Sequence, residues 1–406
     1  MKVLSLKPHY GWMFGLASSM PNDTFYVVNK MLTETMSNDL ALSNGYWRWL
    51  RCIKPKPTNV KLLGKSITEI DIDDYDVAIL IPDAGHVELW KQYLMDIPIV
   101  WKFHLCNEGT RNVVKKSGGK ILGDYPCIFS ASSQRDFYGI DGVVAWSQNP
   151  EIYKNWSGEV KKAMWTCERI GEPNDSRYTQ RGGYIWDQIH PYVKAKRYGL
   201  DFRLGTPITP FAEMVLAYRL NRCYVECATN TILTDGLVEA MMSGMPPVVY
   251  AAWEMDRIIE HEVNGFKSVD PREMINYISN LLEDHDLAKE IGRKARETAL
   301  KLWGPQVTET AYHQAFIEAV NVFNRKKYKD VPELLQVYRI KDDVSVNDFL
   351  FNMTQKKIEE LETDFEKEFS SVVACSHCLK QFEIKHSKGA HSIKALDESE
   401  SIEVEK

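Results

Sequence analysis

The sequence lacks the features that would place it in a membrane or in an oxidising compartment. It has no run of about 18 uncharged apolar residues, so no transmembrane span is expected. Its N-terminus has no long apolar core and no small-residue cleavage site, which is typical of a first β-strand rather than of a signal peptide. Its eight cysteines are scattered and form no disulfide framework. These absences predict a protein of the reducing cytoplasm.

The sequence also lacks an excess of basic residues. Its formal net charge is −6, which argues against a protein that binds nucleic acid over its whole surface. This net charge is still compatible with a local basic groove. No internal repeat is visible in the chain. Its 406 residues, at roughly 150 residues per domain, suffice for two or three domains with sizeable cores.

Short apolar runs alternate with segments of helical length over residues 1–160. Residues 76–81 and 98–103 are continuous apolar runs, as in strands buried on both faces of a parallel sheet. Residues 127–130 and 142–146 add two further strand candidates. This alternation predicts an open α/β domain.

Two segments near the N-terminus carry weaker patterns. Residues 7–20 contain Gly11 and Gly15 and are predicted as a loop. Asp23 is predicted to cap a helix over residues 24–36, with apolar residues on one face. A strand is the alternative there, because the segment begins with β-branched residues.

A second alternation covers residues 161–304, and a further helix is predicted over residues 305–325. Two α/β units in tandem place a ligand beyond the carboxyl ends of the strands, in the cleft between the units. The predicted strands of the second unit are residues 200–204, 223–227 and 247–251, and its predicted helices are residues 236–243, 271–282 and 286–302.

The segment DGLVEAMMSGMPPVV, residues 235–249, carries the most specific chemistry. Gly236 leads into a short helix, and Glu239 is expected in its first turn, where the helix dipole favours a carboxylate. A carboxylate there can accept two hydrogen bonds from a vicinal diol, such as that of a ribose. The alternative is a helix-capping glutamate in an ordinary βαβ unit.

This segment resembles the donor-site signature of GT-B glycosyltransferases, EGFGLPxLEAMAxGxPVV. The resemblance implies two Rossmann-like domains that face a cleft, with residues 1–160 as the acceptor domain and residues 161–304 as the nucleotide-sugar domain. It also implies that Gly236 and Glu239 belong to the donor site, with Glu239 on the ribose of a nucleotide sugar, most often a UDP-sugar. The signature's first glutamate falls on Thr231, which leaves the donor sugar open.

Two arginines in the segment RYTQRGG form a candidate diphosphate site. The guanidinium groups of Arg177 and Arg181 can clamp a diphosphate, at roughly 1.5–3 kcal/mol for each charge-assisted hydrogen bond. The alternative is two solvated surface arginines. Their spacing resembles that of phage β-glucosyltransferases that modify DNA. This weaker resemblance implies a modified base in DNA as an acceptor.

Candidates for the reacting centre lie in the first unit. Asp83 and His104 each follow a predicted strand, and an inverting transfer needs a general base such as Asp or His near the acceptor hydroxyl. A retaining transfer mainly needs stabilisation of the leaving phosphate. The alternative for each residue is a satisfied polar group at a strand end.

The appended tail, residues 326–406, carries a separate signal. Cys375, Cys378, His386 and His391 supply four ligands of the kind that zinc binds in a tetrahedron, which predicts a zinc knuckle over residues 375–391. An unmetallated tail is the alternative. Exposed helices are predicted over residues 344–369, and disorder over the acidic residues 397–406.

A cluster of aromatic and basic residues lies in the first unit, from Tyr46 to Lys61, and includes Lys54 and Lys56. Such a cluster can stack on unpaired bases or lie at a lipid interface, and the alternative is a helix with a buried aromatic face and a solvated basic one.

The leading interpretation of the whole sequence is a glycosyltransferase. Its acceptor is a modified base in DNA or, alternatively, a surface glycan, lipid or protein. A non-catalytic binding protein on the same scaffold is the competing class.

Overall fold

The structure of the chain is a computed structural model. The described residues are 1–6, 10–28, 54–82, 84–103, 125–167, 176–198, 210–230, 232–327, 369–374, 381–387, 390–395 and 401–403. Met1–Tyr328 form one compact unit and Lys329–Lys406 a second one. The first unit contains two parallel sheets, which confirms the predicted α/β fold. The domain boundaries at residues 160 and 304 stay a prediction.

The first sheet has seven parallel strands in the order β3-β2-β1-β4-β5-β6-β7. All four residues of β4 and of β5 are buried, as expected for central strands of a sheet that is covered on both faces. The strands are β1 (Lys2–Leu6), β2 (Thr24–Val28), β3 (Val60–Leu62), β4 (Val77–Leu80), β5 (Ile99–Lys102), β6 (Cys127–Phe129) and β7 (Val143–Val144).

Successive residues of these strands point into two separate cores, because side chains alternate across a strand. Val3 and Ile79 pack against helix α1 (Tyr10–Ser19). Leu80 and Trp101 pack on the opposite face, beneath helix α2 (Ala84–Tyr93). A short helix, α3 (Ser132–Tyr138), follows β6.

The second sheet has five parallel strands in the order β12-β11-β10-β8-β9. The chain first runs from β8 outward to β9 and then returns to the other side of β8, where β10 pairs with it. The strands are β8 (Val160–Thr166), β9 (Ala195–Tyr198), β10 (Asn221–Glu226), β11 (Pro247–Tyr250) and β12 (Phe266–Ser268).

Helices cover both faces of this second sheet. They are α4 (Ser176–Gln180), α5 (Gly183–Ile189), α6 (Phe211–Leu220), α7 (Asp235–Ser243), α8 (Trp253–Ile258), α9 (Pro271–Glu283) and α10 (His285–Trp303). Asp270 and Asp284 accept hydrogen bonds from backbone N–H groups at the starts of α9 and α10, as helix caps do.

The last helix of the first unit, α11 (Pro305–Lys327), packs on the first sheet although it follows the second one in sequence. Tyr312 accepts a hydrogen bond from Trp12 Nε1 at 2.8 Å in that core. His313 Nε2 lies 2.8 Å from Asp23 Oδ2. The chain therefore returns to the first sheet after it has formed the second one.

Two predictions for the N-terminal segments are wrong. Residues 10–19 form α1 rather than a loop: this helix is buried on nearly all sides, so it lacks the one-sided pattern that identifies a surface helix. Residues 24–28 form β2, which was the stated alternative, because they pair with both β1 and β3. Asp23 holds His313 instead of capping a helix.

The second unit, described by itself, is an antiparallel sheet of four strands in chain order. Ser401–Glu403 pair in this sheet, so the prediction of disorder over residues 397–406 is wrong for them. The predicted helices over residues 344–369 lie almost wholly outside the described residues. The strands are β13 (Phe369–Ala374), β14 (Gln381–Ser387), β15 (Ala390–Ala395) and β16 (Ser401–Glu403).

Packing between α10 and the end of α7 gives a stability prediction. Gly292 lies in α10, and a Cβ there would collide with the carbonyl oxygen of Gly244, which ends α7. Helix propensity alone would favour Gly292→Ala by about 1 kcal/mol. Overpacking against a backbone atom costs about 1–3 kcal/mol and outweighs it. We expect Gly292→Ala to lower the free energy of unfolding in urea.

The control for this variant is Lys289→Ala, an exposed position on the same helix. It is expected to change the free energy of unfolding by less than about 0.5 kcal/mol. A stabilised Gly292→Ala protein would show that α10 and the end of α7 do not pack this closely.

Candidate functional site

The carboxyl ends of β8 and β10 define the candidate site. These two strands are neighbours, and the chain leaves them in opposite directions along the sheet. The loops after such a pair of strands diverge and open a crevice, where ligands of parallel sheets bind. Thr166 ends β8 and Glu226 ends β10, so both residues lie at the floor of this crevice.

The predicted arginine segment lies directly at the crevice. The backbone N–H groups of Thr229 and Asn230, just after β10, both donate to the carbonyl oxygen of Gln180 at 3.2 Å. The hydroxyl of Thr229 donates to the carbonyl oxygen of Thr179 at 2.7 Å. These bonds hold the backbone just before Arg181 beside the loop after β10, and the side chain of Arg181 is exposed. Arg177 lies in α4, and its side chain is outside the described part.

Glu226 is a buried carboxylate that the sequence did not single out. It accepts hydrogen bonds from the backbone N–H of Ala228 at 3.0 Å, from the Tyr224 hydroxyl at 3.2 Å and from Thr234 Oγ1. Burial raises its pKa, while these hydrogen bonds and the charge of Arg181 act in the opposite direction. An acid within the predicted strand over residues 223–227, which is otherwise apolar, was the available signal.

The start of helix α7 is hydrogen-bonded to the carboxylate of Glu226. Thr234 Oγ1 donates to Glu226 and also caps the helix by accepting a hydrogen bond from the backbone N–H of Leu237 at 3.2 Å. A Cβ on Gly236 would collide with Thr166 Oγ1 and the Tyr224 hydroxyl. A glycine at residue 236 therefore lets the first turn of α7 approach the strands.

Glu239 lies in the second turn of α7, so the prediction that it lies in the first turn is wrong. Its side chain is buried, and its Oε1 lies 2.5 Å from Lys54 Nζ. Tyr153 and Tyr218 face the same carboxylate. Burial raises the pKa of Glu239, the positive charge of Lys54 lowers it, and the charge of Asp235 raises it again.

Lys54 reaches Glu239 from the half of the unit that contains the first sheet. Its Nζ lies 3.9 Å from Asp235 Oδ2 and 5.4 Å from the centre of the Phe14 ring of α1. Gln148 Nε2 donates to Asp235 Oδ1 at 3.1 Å. Lys54 is buried, so it does not belong to a solvated basic face; residues 46–51 of the predicted cluster lie outside the described part.

A second set of contacts joins the two halves at α3 and α8. The Glu254 carboxylate accepts hydrogen bonds from the backbone N–H groups of Ser132 and Ser133, at 3.2 and 2.9 Å, and from the Ser132 hydroxyl at 3.0 Å. Arg257 Nη1 lies 2.6 Å from Asp136 Oδ2. The helices that follow the carboxyl ends of β6 and β11 therefore meet across the cleft.

The first sheet contributes a buried lysine that the sequence also did not single out. Lys102 in β5 donates to Ser130 Oγ at 3.1 Å and to the carbonyl oxygen of Ala145 at 3.2 Å. Burial lowers the pKa of Lys102 well below its usual range. The predicted catalytic residues Asp83 and His104 lie outside the described residues, so their place in the cleft stays a prediction.

The predicted zinc ligands are only partly described. Cys375 and Cys378 lie outside the described residues, while His386 and His391 are register partners on β14 and β15. Elsewhere, no group of three or more His, Cys, Asp or Glu residues in the described ranges could hold a metal ion. The zinc knuckle stays a prediction.

Within the described ranges, no helix has both the length and the apolar composition that crossing a bilayer requires.

No protein-family model matches the sequence, and no curated protein matches it. Solved structures do match. HepE from Anabaena, in complex with UDP, is 15% identical over 77% of this chain and 99% of that chain, with a TM-score of 0.55. The same protein in complex with UDP-glucose is 14% identical, with the same coverage and TM-score. Sucrose-phosphate synthase from Thermosynechococcus elongatus is 11% identical over 78% of this chain and 100% of that chain, with a TM-score of 0.54.

These likenesses establish the fold. The matched chains are GT-B glycosyltransferases, and the described chain has the same two-sheet α/β fold over nearly the whole length of each. The GT-B fold implied by residues 235–249 is therefore confirmed. The sequence identities are too low to transfer an activity or a residue's role.

The contacts between α3 and α8 give a second stability prediction. Glu254→Gln keeps the size of the side chain but replaces charge-assisted acceptors of three hydrogen bonds by a neutral amide. Hydrogen bonds to a charged group contribute about 1.5–3 kcal/mol each, of which a glutamine retains part. We expect a loss of about 1–3 kcal/mol in the free energy of unfolding.

Glu260→Gln, at an exposed position just after α8, is the matched control and should unfold like the wild type. Equal stability of the Glu254→Gln protein would mean that the two halves do not meet at α3 in solution.

Proposed function

We propose that this GT-B chain is a glycosyltransferase that moves a sugar from a nucleoside diphosphate sugar, specifically a UDP-sugar, to an acceptor hydroxyl. One observation carries the proposal: Arg181 and the start of α7 both lie near Glu226, at the crevice between β8 and β10, in a fold shared with a protein solved with UDP and UDP-glucose. A cation and a carboxylate-bearing helix at one crevice match the two ends of a nucleoside diphosphate.

Arg181, with Arg177 as its proposed partner, binds the diphosphate. A guanidinium group forms two parallel hydrogen bonds to phosphate oxygens and keeps its charge at every physiological pH. When the glycosidic bond to the phosphate breaks, negative charge grows on the leaving diphosphate. A fixed positive charge stabilises that transition state more than the ground state, which is what accelerates transfer.

Glu239 binds the ribose. An ionised carboxylate has acceptor sites for both hydroxyls of a vicinal diol, and α7 holds it at a defined distance from the crevice. Thr234 and Gly236 belong to the same site because they set the position of the helix. Asp83 and His104 are proposed for the reacting centre, where one of them takes the proton of the acceptor hydroxyl if the transfer inverts configuration.

Binding of UDP tests the donor site. Glu239→Ala and Arg181→Ala each remove a charged hydrogen-bonding group, which contributes about 1.5–3 kcal/mol. At about 1.4 kcal/mol per factor of ten, each variant should bind UDP at least about tenfold more weakly in titration calorimetry.

Glu297→Ala and Arg293→Ala remove exposed groups of the same types on α10 and should bind UDP like the wild type. Wild-type affinity in both donor-site variants would show that the donor site is assigned to the wrong residues. A panel of UDP-hexoses and UDP-pentoses then distinguishes the hexosyl from the pentosyl class.

For the acceptor, we propose a hydroxylated base in DNA, which is supported by the spacing of Arg177 and Arg181. Radiolabelled UDP-glucose is incubated with hydroxymethylated DNA and with unmodified DNA of the same sequence. Transfer is expected to the first only, because glycosyl transfer needs a nucleophilic hydroxyl that unmodified bases lack.

Absence of label from both DNAs would exclude this acceptor for glucose. Label in a lipid or polysaccharide fraction would instead support the alternative, a glycan, lipid or protein acceptor. A non-catalytic nucleotide-sugar-binding protein is the remaining alternative. This alternative is motivated by Thr231, which stands in place of the signature's glutamate. It predicts that the protein binds UDP and transfers no sugar to any acceptor.

A further inference from the structure

The half of the fold built on the first sheet supplies a charged group to the donor site. We infer that Lys54 is a positioning residue for the donor: it bridges the cleft and keeps the Glu239 carboxylate charged and oriented towards the ribose. This inference rests on the proposed role of Glu239.

The geometry places Lys54 between two carboxylates. Asp235 and Glu239 are four residues apart on α7, so they lie on one face of the helix, one turn apart. Lys54 Nζ is 2.5 Å from Glu239 Oε1 and 3.9 Å from Asp235 Oδ2. One ammonium group therefore offsets the repulsion between two neighbouring negative charges.

The ion pair is screened from water. The side chains of Lys54 and Glu239 are 10% and 6% exposed, respectively. A buried carboxylate that loses its partner becomes protonated rather than staying charged. A protonated carboxyl group donates one hydrogen bond and no longer accepts from both hydroxyls of a ribose.

Five described groups lie within electrostatic reach of Glu239. Asp235 comes from its own helix, Tyr218 from α6, Tyr224 from β10, Tyr153 from the segment before β8, and Lys54 from the other half of the unit. Burial is the main cause that raises the pKa of the three tyrosines, and the charge of Glu239 adds to it, so they stay neutral. Of these five groups, Lys54 is the one with a positive charge.

The lysine itself is held in place by the first half of the fold. Its ammonium lies 5.4 Å from the centre of the Phe14 ring of α1. Gln148 reaches the same acidic face of α7 through Asp235. The carboxylate that binds the donor is thus completed by residues on the opposite side of the cleft, and opening the cleft would remove its counter-charge.

Affinity for UDP as a function of pH tests this role. Lys54→Met should weaken UDP binding at pH 7 by at least about tenfold, because Glu239 then protonates more readily. Binding needs the ionised carboxylate, so affinity is lost as the pH falls through the pKa of Glu239. Without Lys54 that pKa rises, and the loss of binding moves to higher pH. Since UDP also titrates, wild type and variants are compared at each pH.

Lys54→Arg should restore both the affinity and the pH midpoint, because it restores the charge. Lys56→Met is the matched control: Lys56 is exposed and donates to the backbone carbonyl oxygen of Val60 at 2.6 Å. Circular dichroism and thermal melting confirm that the variants fold. Lys54→Gln replaces Lys54→Met if the latter does not fold.

The outcomes separate the two proposals. If the wild type binds UDP and the neutral Lys54 variant binds it with the same affinity and pH midpoint, or more tightly, the role of Lys54 is overturned and the proposed function stands. If the wild type does not bind UDP at any pH, the proposed function fails, and the role of Lys54 fails with it.

Discussion

The candidate site depends on how closely the first turn of α7 packs on the ends of β8 and β10. Gly236 leaves no side chain between the helix and the hydroxyls of Thr166 and Tyr224. Thr234 then joins the helix start to the buried carboxylate of Glu226. Because the strands and Glu226 fix this first turn, Glu239 has a defined position one turn later. The other groups of the site are positioned relative to Glu239.

That close packing has an electrostatic consequence. It places the carboxylates of Glu226 and Glu239 in surroundings where a charge is costly, so each needs donors or a counter-charge. Hydrogen bonds from its own half of the fold serve Glu226. Glu239 receives its counter-charge from Lys54, which comes from the other half. At α8, too, a carboxylate and its donors come from different halves: Glu254 accepts hydrogen bonds from the start of α3. Polar groups of the cleft are thus completed by residues from both halves.

Local patterns predicted well those elements whose signal is local. Residues 236–243 were predicted as a helix, and α7 spans Asp235–Ser243; residues 247–251 were predicted as a strand, and β11 spans Pro247–Tyr250. The prediction failed at α1, which is enclosed by α11 and the first sheet and therefore shows no polar face. It also failed at β2, where pairing with two neighbouring strands decided the conformation.

The sequence by itself determined the fold class and the helix that carries Glu239, because both follow from periodicity and from one contiguous motif. The partners of Lys54, Glu226 and Glu254 were decided only by the tertiary structure. Glu254 and Ser132 are 122 residues apart in the chain, and Lys54 and Glu239 lie in different halves of the fold. A single sequence records the charge of each side chain, but the partner that keeps that charge, buries it or neutralises it is chosen by the packing of the two sheets.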